Sequence, residues 1–136
     1  MPCIFCEIAA GRAPASLVYE DDDVYAMMSL EQPNAGKALV IPRAHVESLY
    51  DLDDATAAAV MRATVRVARA IRAATGCPGL NLVQSNGRAG QQHVWHLHMH
   101  LVPRFVGDGI LLRWDNTIQP REALDRLAAE IRAKMA

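Results

Sequence analysis

Four of the five histidines fall in one stretch, His93-Val94-Trp95-His96-Leu97-His98-Met99-His100-Leu101-Val102. His96, His98 and His100 alternate with apolar residues. On an extended strand alternate side chains share a face. A rise of about 3.3 Å per residue would set neighbouring imidazoles about 6.6 Å apart, with Leu97, Met99 and Leu101 turned into a core. Imidazole can bind a metal, shuttle a proton, or attack phosphorus or carbon. Strict alternation of three histidines argues against a sheet face that merely happens to be histidine-rich. Two chemistries remain: three histidines on a catalytic zinc, or a nucleophile beside a phosphate site. Three same-face positions span about 13 Å, wide for one ion with ligands at about 2.1 Å.

The preceding loop, Ser85-Asn86-Gly87-Arg88-Ala89-Gly90-Gln91-Gln92, is polar and glycine-containing. Loops of this kind present backbone N–H groups to phosphate oxygens. Asn86 and Gln92 add side-chain donors, and Arg88 adds charge. Cys3-x-x-Cys6 is a zinc-like pair without a second pair nearby. No strand pattern precedes it, which argues against a thioredoxin-type redox role.

The elements that must position these residues follow from periodicity. Asp53 to Ala74 predicts a long helix, with Ala57, Val60, Met61, Thr64, Ala68 and Ile71 as its apolar stripe. Asp51 or Asp53 caps its start and Gly76 ends it. Leu17 to Glu20 and Val24 to Met28 flank the acidic turn Asp21-Asp22-Asp23 and predict a hairpin. Further strands are expected at Ala38 to Ile41, Leu80 to Gln84 and His96 to Val102, the last stopped by Pro103. Pro120 opens a second helix carrying Leu124, Leu127, Ala128 and Ile131. Gly107 and Gly109 mark Phe105 to Asn116 as a mobile linker. Hairpins with one main helix imply an antiparallel α+β domain.

The 136 residues fit one domain, and 51% hydrophobic content supports a packed core. A net charge of -1 without a basic run excludes an extended nucleic-acid surface. No apolar run of about 18 residues predicts a membrane span. The start, Met1 to Glu7, has no basic opening or apolar signal core, so a cytoplasmic location is expected. Three cysteines, an odd number, argue against a disulfide framework.

His96-Leu97-His98-Met99-His100-Leu101-Val102 resembles the histidine-triad (HIT) family signature, His-x-His-x-His followed by two apolar residues. The likeness runs from Cys3 to about Arg104, through Cys3-Ile4-Phe5-Cys6, Val18-Tyr19-Glu20-Asp21, Leu39-Val40-Ile41-Pro42-Arg43-Ala44-His45 and Gly79-Leu80-Asn81-Leu82-Val83. It implies a HIT-like five-stranded antiparallel sheet with one long helix and a C-terminal helix. One domain spans 1–136, with a core at about 3–104 and an extension at 105–136. It further implies a homodimer that cleaves purine nucleotide conjugates at the α-phosphate, either adenosine phosphoramidates or dinucleoside polyphosphates. The catalytic set becomes His98 as nucleophile, with His100 and His96. Nucleotide binding falls to Ser29, Ser85, Asn86, Gln92, His93 and His100. In zinc-bearing relatives the cysteine pair joins two histidines, which here are His45 and His96. That zinc is structural, and the reaction needs no catalytic metal. The family often has Asp where Ser29 stands and Gly-His where Gly36-Lys37 stands, and a small polar residue is usual at His93. His93 either donates to the phosphate or faces solvent. A zinc hydrolase and a nucleotide-binding adaptor are the competing functions.

Overall fold

The computed structural model describes residues 2–114 and 116–135. In chain order the elements are α1 (Ile4–Ala9), β1 (Leu17–Glu20), β2 (Val24–Met28), β3 (Ala38–Pro42), a 3-10 turn (Leu49–Asp51), α2 (Asp54–Thr75), β4 (Gly79–Val83), β5 (Met99–Arg104) and α3 (Arg121–Lys134). The strands make one antiparallel sheet in the order β1-β2-β3-β5-β4. The α+β expectation therefore holds, with short α1 added to the elements foreseen.

Alternation along the central strands gives the sheet two apolar faces. Val24, Ala26, Ala38, Val40, Met99 and Leu101 point to one side and pack against α2. Tyr25, Met27, Leu39 and Ile41 point to the other and pack against Phe5 of α1. Each large side chain taken fully from water contributes about 1.5–3 kcal/mol, so both faces are firmly held. The Asp53 carboxylate caps α2 by accepting from the Thr56 N–H at 2.7 Å. Gly76 ends the helix at φ +68°. Asp51 instead closes a reciprocal cap with Ser48 on the 3-10 turn. The buried stripe of α2 is Ala59, Val60, Ala63, Thr64, Val67 and Ile71. It lies rotated from the expected stripe, and Met61 is exposed.

The histidine segment departs from the expected strand. Regular pairing begins at Met99, where Met99, His100 and Leu101 face Val40, Leu39 and Ala38. Before it, the Leu97 N–H donates to Val46 O at 2.7 Å, and the His96 ring reaches Pro42 O. Those bonds carry the chain off the β3 ladder. At the other end β5 runs through Pro103 to Arg104. Pro103 is tolerated because the β3 pairing stops at Leu101, leaving no ladder acceptor on that side.

The linker begins in fixed structure. The Arg104 guanidinium donates to the Asp108 carboxylate at 2.8 and 3.0 Å and to Asn81 Oδ1 at 2.6 Å. Asn34 donates to Asp108 as well. Beyond this, α3 buries none of its residues, and Leu124, Leu127 and Ile131 stay exposed.

Candidate active site and metal centre

β5 and the segment before it place two imidazoles against each other. The His98 and His100 ring centroids are 4.7 Å apart at 60°, closer than strand spacing alone gives because the rings tilt together. His98 Nδ1 lies 2.8 Å from His96 O. A carbonyl only accepts, so Nδ1 carries the proton and Nε2 of the neutral ring keeps its lone pair. The edge of Phe5 supports the His98 ring at 5.1 Å. Burial pushes the His98 pKa down and the nearby Lys37 cation adds to this, against the His96 carbonyl bond. Burial, then His98 and Lys37, push His100 down to about 4. At neutral pH His100 is uncharged.

Both rings line a cavity of about 750 Å³. Ile4, Phe5 and Ile8 of α1, with Met27, Leu30 and Leu39, give it an apolar wall. Ser29, Lys37, Ser85, Gln92 and His93 give it a polar one. Such a division suits a ligand with a flat apolar base and an anionic end. Of the sequence-based nucleotide set, Ser29, Ser85, Gln92, His93 and His100 meet here. Asn86 does not line the cavity. Its Oδ1 accepts from the Leu49 N–H at 2.7 Å and the Gln84 amide at 2.8 Å, and its Nδ2 donates back to Gln84 at 2.7 Å.

Gln92 is buried, and its amide is fully engaged. Nε2 donates to Glu47 O at 2.6 Å and Val94 O at 3.0 Å, while Oε1 accepts from the Gly87 N–H at 2.9 Å. It ties the phosphate-loop candidate, 85–92, to the segment after β3. Gln91 beside it sits at φ +65°, a left-handed turn within that loop.

His96 is completely buried and faces away from the cavity. Its Nε2–H donates to Pro42 O at 2.7 Å. That leaves the Nδ1 lone pair towards Cys3 Sγ at 3.4 Å and Cys6 Sγ at 3.5 Å. Cys6 Sγ is 3.3 Å from His45 Nδ1. The four donor atoms all lie within 4.8 Å of one another. Tetrahedral zinc with ligands at 2.0–2.3 Å puts N and S donors about 3.6 Å apart, so the set fits that ion. The Pro42 carbonyl orients His96 as an outer partner orients a metal-bound histidine. With both nitrogens engaged here, His96 cannot share one ion with His98 and His100.

Two contributors were not legible as site residues in the sequence. Lys37 lies two residues before Leu39 on the cavity side of the sheet; the sequence marked it as a departure, Gly36-Lys37 where Gly-His is usual, without placing it in the site. Phe5 lies between the Cys3, Cys6, His45 and His96 cluster and His98, with its ring edge-on to His96 at 5.7 Å as well as to His98. The CxxC motif drew attention to its cysteines and not to the residue between them. Trp114 is exposed and does not line this chain's cavity.

A family model described as HIT domain matches residues 10–107. The chain belongs to the HIT family. Among its HIT relatives, "Protein hit" of Bacillus subtilis is 42% identical over 113 residues, covering 82% of this chain and 78% of that one. A crystal structure of a HIT family member from Bacillus subtilis superposes with TM-score 0.95 at 37% identity, covering 100% of this chain and 99% of that one. An adenosine 5'-monophosphoramidase of Saccharomyces cerevisiae is 31% identical, covering 98% and 82% of the two chains. An adenylylsulfatase of Arabidopsis thaliana is 33% identical, covering 75% of this HIT chain and 52% of that protein. A Zn-bound histidine triad family protein from Mycobacterium smegmatis matches with TM-score 0.76 at 34% identity, covering 98% and 97%. No helix among the described residues of this HIT chain is long and apolar enough to cross a membrane.

Proposed function

We propose that the protein is a nucleotidyl hydrolase or transferase that cleaves purine nucleotide conjugates at the α-phosphate through a nucleotidyl-His98 intermediate. The observation that carries this reading is the hydrogen bond from His98 Nδ1 to His96 O, which leaves Nε2 unprotonated in a cavity of nucleotide size. Attack by Nε2 on the phosphorus divides one hard displacement into two easier ones. The apolar wall takes the purine. Ser85, His93 and neutral His100, which line the cavity, would donate to the phosphoryl oxygens as negative charge gathers on them. Gln92 and Asn86 hold the loop in shape, and His96 acts on His98 through its carbonyl. Relatives named as a phosphoramidase and an adenylylsulfatase support the same reaction type.

Cys3, Cys6, His45 and His96 would hold a structural zinc, which supplies a closed cross-link with no open coordination position. The exposed apolar stripe of α3 supports a homodimer in which a second copy covers it.

The test is AMP release from an adenosine phosphoramidate and from a dinucleoside polyphosphate, with and without EDTA, by the intact protein and by His98→Ala. Turnover that survives EDTA and disappears in His98→Ala is expected. Activity retained by folded His98→Ala would remove His98 as nucleophile.

A further inference from the structure

Lys37 is a cation held in the cavity without an anionic partner. Among the described residues its ammonium makes no ion pair, and Glu31 is the one carboxylate lining the same cavity. Its backbone is fixed, because the Ser29 N–H donates to Lys37 O and the Lys37 N–H donates to Gln32 Oε1. Gln32 Nε2 also donates to Lys37 O. A fixed backbone therefore presents the residue to the cavity that both imidazoles line, and its charge pushes both rings' pKa down. A half-buried ammonium without a partner carboxylate is free to pair with a ligand's negative charge.

From this placement we infer that Lys37 selects substrates whose leaving group departs as an oxyanion, such as a sulfate or a phosphate chain, over substrates that release an amine. The inference rests on the α-phosphate reading above and names its substrate class. In the first step the Nε2 lone pair of His98 forms the P–N bond. The bond from phosphorus to the bridging oxygen breaks, and its electron pair leaves on that oxygen. An ammonium nearby stabilises the charge as it develops. In the second step a water oxygen attacks phosphorus, the P–N pair returns to Nε2, and a water proton passes to solvent. An amine leaving group behaves oppositely. Its nitrogen must take up a proton to depart, and the resulting positive charge is repelled by Lys37.

The experiment compares kcat/KM for adenosine 5'-phosphosulfate and adenosine 5'-phosphoramidate in the intact protein, Lys37→Gln and Lys37→Arg. The ratio, sulfate over amine, is expected to fall about tenfold or more in Lys37→Gln, the size of a unit charge a few ångströms away at intermediate dielectric. Lys37→Arg is expected to keep most of it. Equal losses on both substrates, or an unchanged ratio, would overturn the inference. If neither compound nor a dinucleoside polyphosphate turns over in the intact protein, the α-phosphate reading has failed, and equilibrium binding decides the role of Lys37. Tighter binding of adenosine 5'-phosphosulfate than of AMP, lost in Lys37→Gln, supports it; equal binding in both proteins overturns it. Melting curves of the three proteins establish that each is folded.

Discussion

Replacing Gln92 by alanine separates a phosphate ligand from a loop clamp. The side chain makes three hydrogen bonds, to Glu47 O, Val94 O and the Gly87 N–H, and is 4% exposed. Each such bond contributes a net of about 1 kcal/mol, and more when the partner left behind stays dry. Glu47 is a surface residue and the cavity adjoins the site, so water can reach some of these groups. The expected destabilisation of Gln92→Ala is then about 2–3 kcal/mol. For a chain of this size that lowers Tm by about 8–12 °C. Urea denaturation gives the free energy, and kcat/KM on the same preparation gives the functional loss. Gln92→Glu keeps the acceptor for Gly87 but turns an oxygen towards two carbonyls. Burial and those carbonyls raise the folded pKa of the new carboxyl above its unfolded value of about 4.3. Its penalty is absent below that value and grows as pH rises, so this variant should be closer to the intact protein at pH 4 than at pH 8. A Gln92→Ala protein of unchanged stability but much reduced kcat would refute the clamp and restore a direct phosphate contact.

Purified protein should carry one zinc per chain by elemental analysis, and Cys6→Ser should lose the metal and melt lower, because α1 is then held only by contacts such as Tyr25 to Phe5 O; intact-level zinc in that variant would be contrary. His100, pushed down to about 4 while facing His98 and Lys37, contributes stability that is present above an ordinary imidazole's 6.5 and lost as pH falls from there towards 4. The stability difference between intact protein and His100→Gln should narrow in favour of the variant across that window, as followed by denaturation at several pH values. Gly36 sits at φ +110° with a new Cβ only 2.8 Å from Thr75 Cγ2, so Gly36→Ala should cost about 1–3 kcal/mol in urea unfolding.

Periodic patterns reveal what local sequence dictates. The hairpin turn, β3, α2 with its Asp53 cap and Gly76 stop, and α3 all stand where alternation and capping chemistry put them. The rest depends on partners distant in sequence. His96 looks equivalent to His98 and His100 in the motif, yet Pro42 O and two thiols turn it into a buried centre. That pull also ends the strand at Met99. α1 is six residues long, too short to show a helical period, and is held by contacts of Cys3 and Cys6 with His45 and His96 and by the Tyr25 hydroxyl. Gln92 reads as a donor by residue type, but its donors are claimed by carbonyls at 47 and 94. Lys37 shows in the sequence only as a departure from Gly-His, and its place in the cavity depends on the strands around it.

The proposed reaction runs through a covalent intermediate on His98. The direct measurement is rapid chemical quench of enzyme with an adenylyl substrate, followed by intact-mass and peptide-mass analysis. One nucleotidyl group is expected, added transiently, located on the peptide containing His98 and absent from folded His98→Ala. Steady turnover with no adduct at any quench time, or an adduct on another residue, would contradict it.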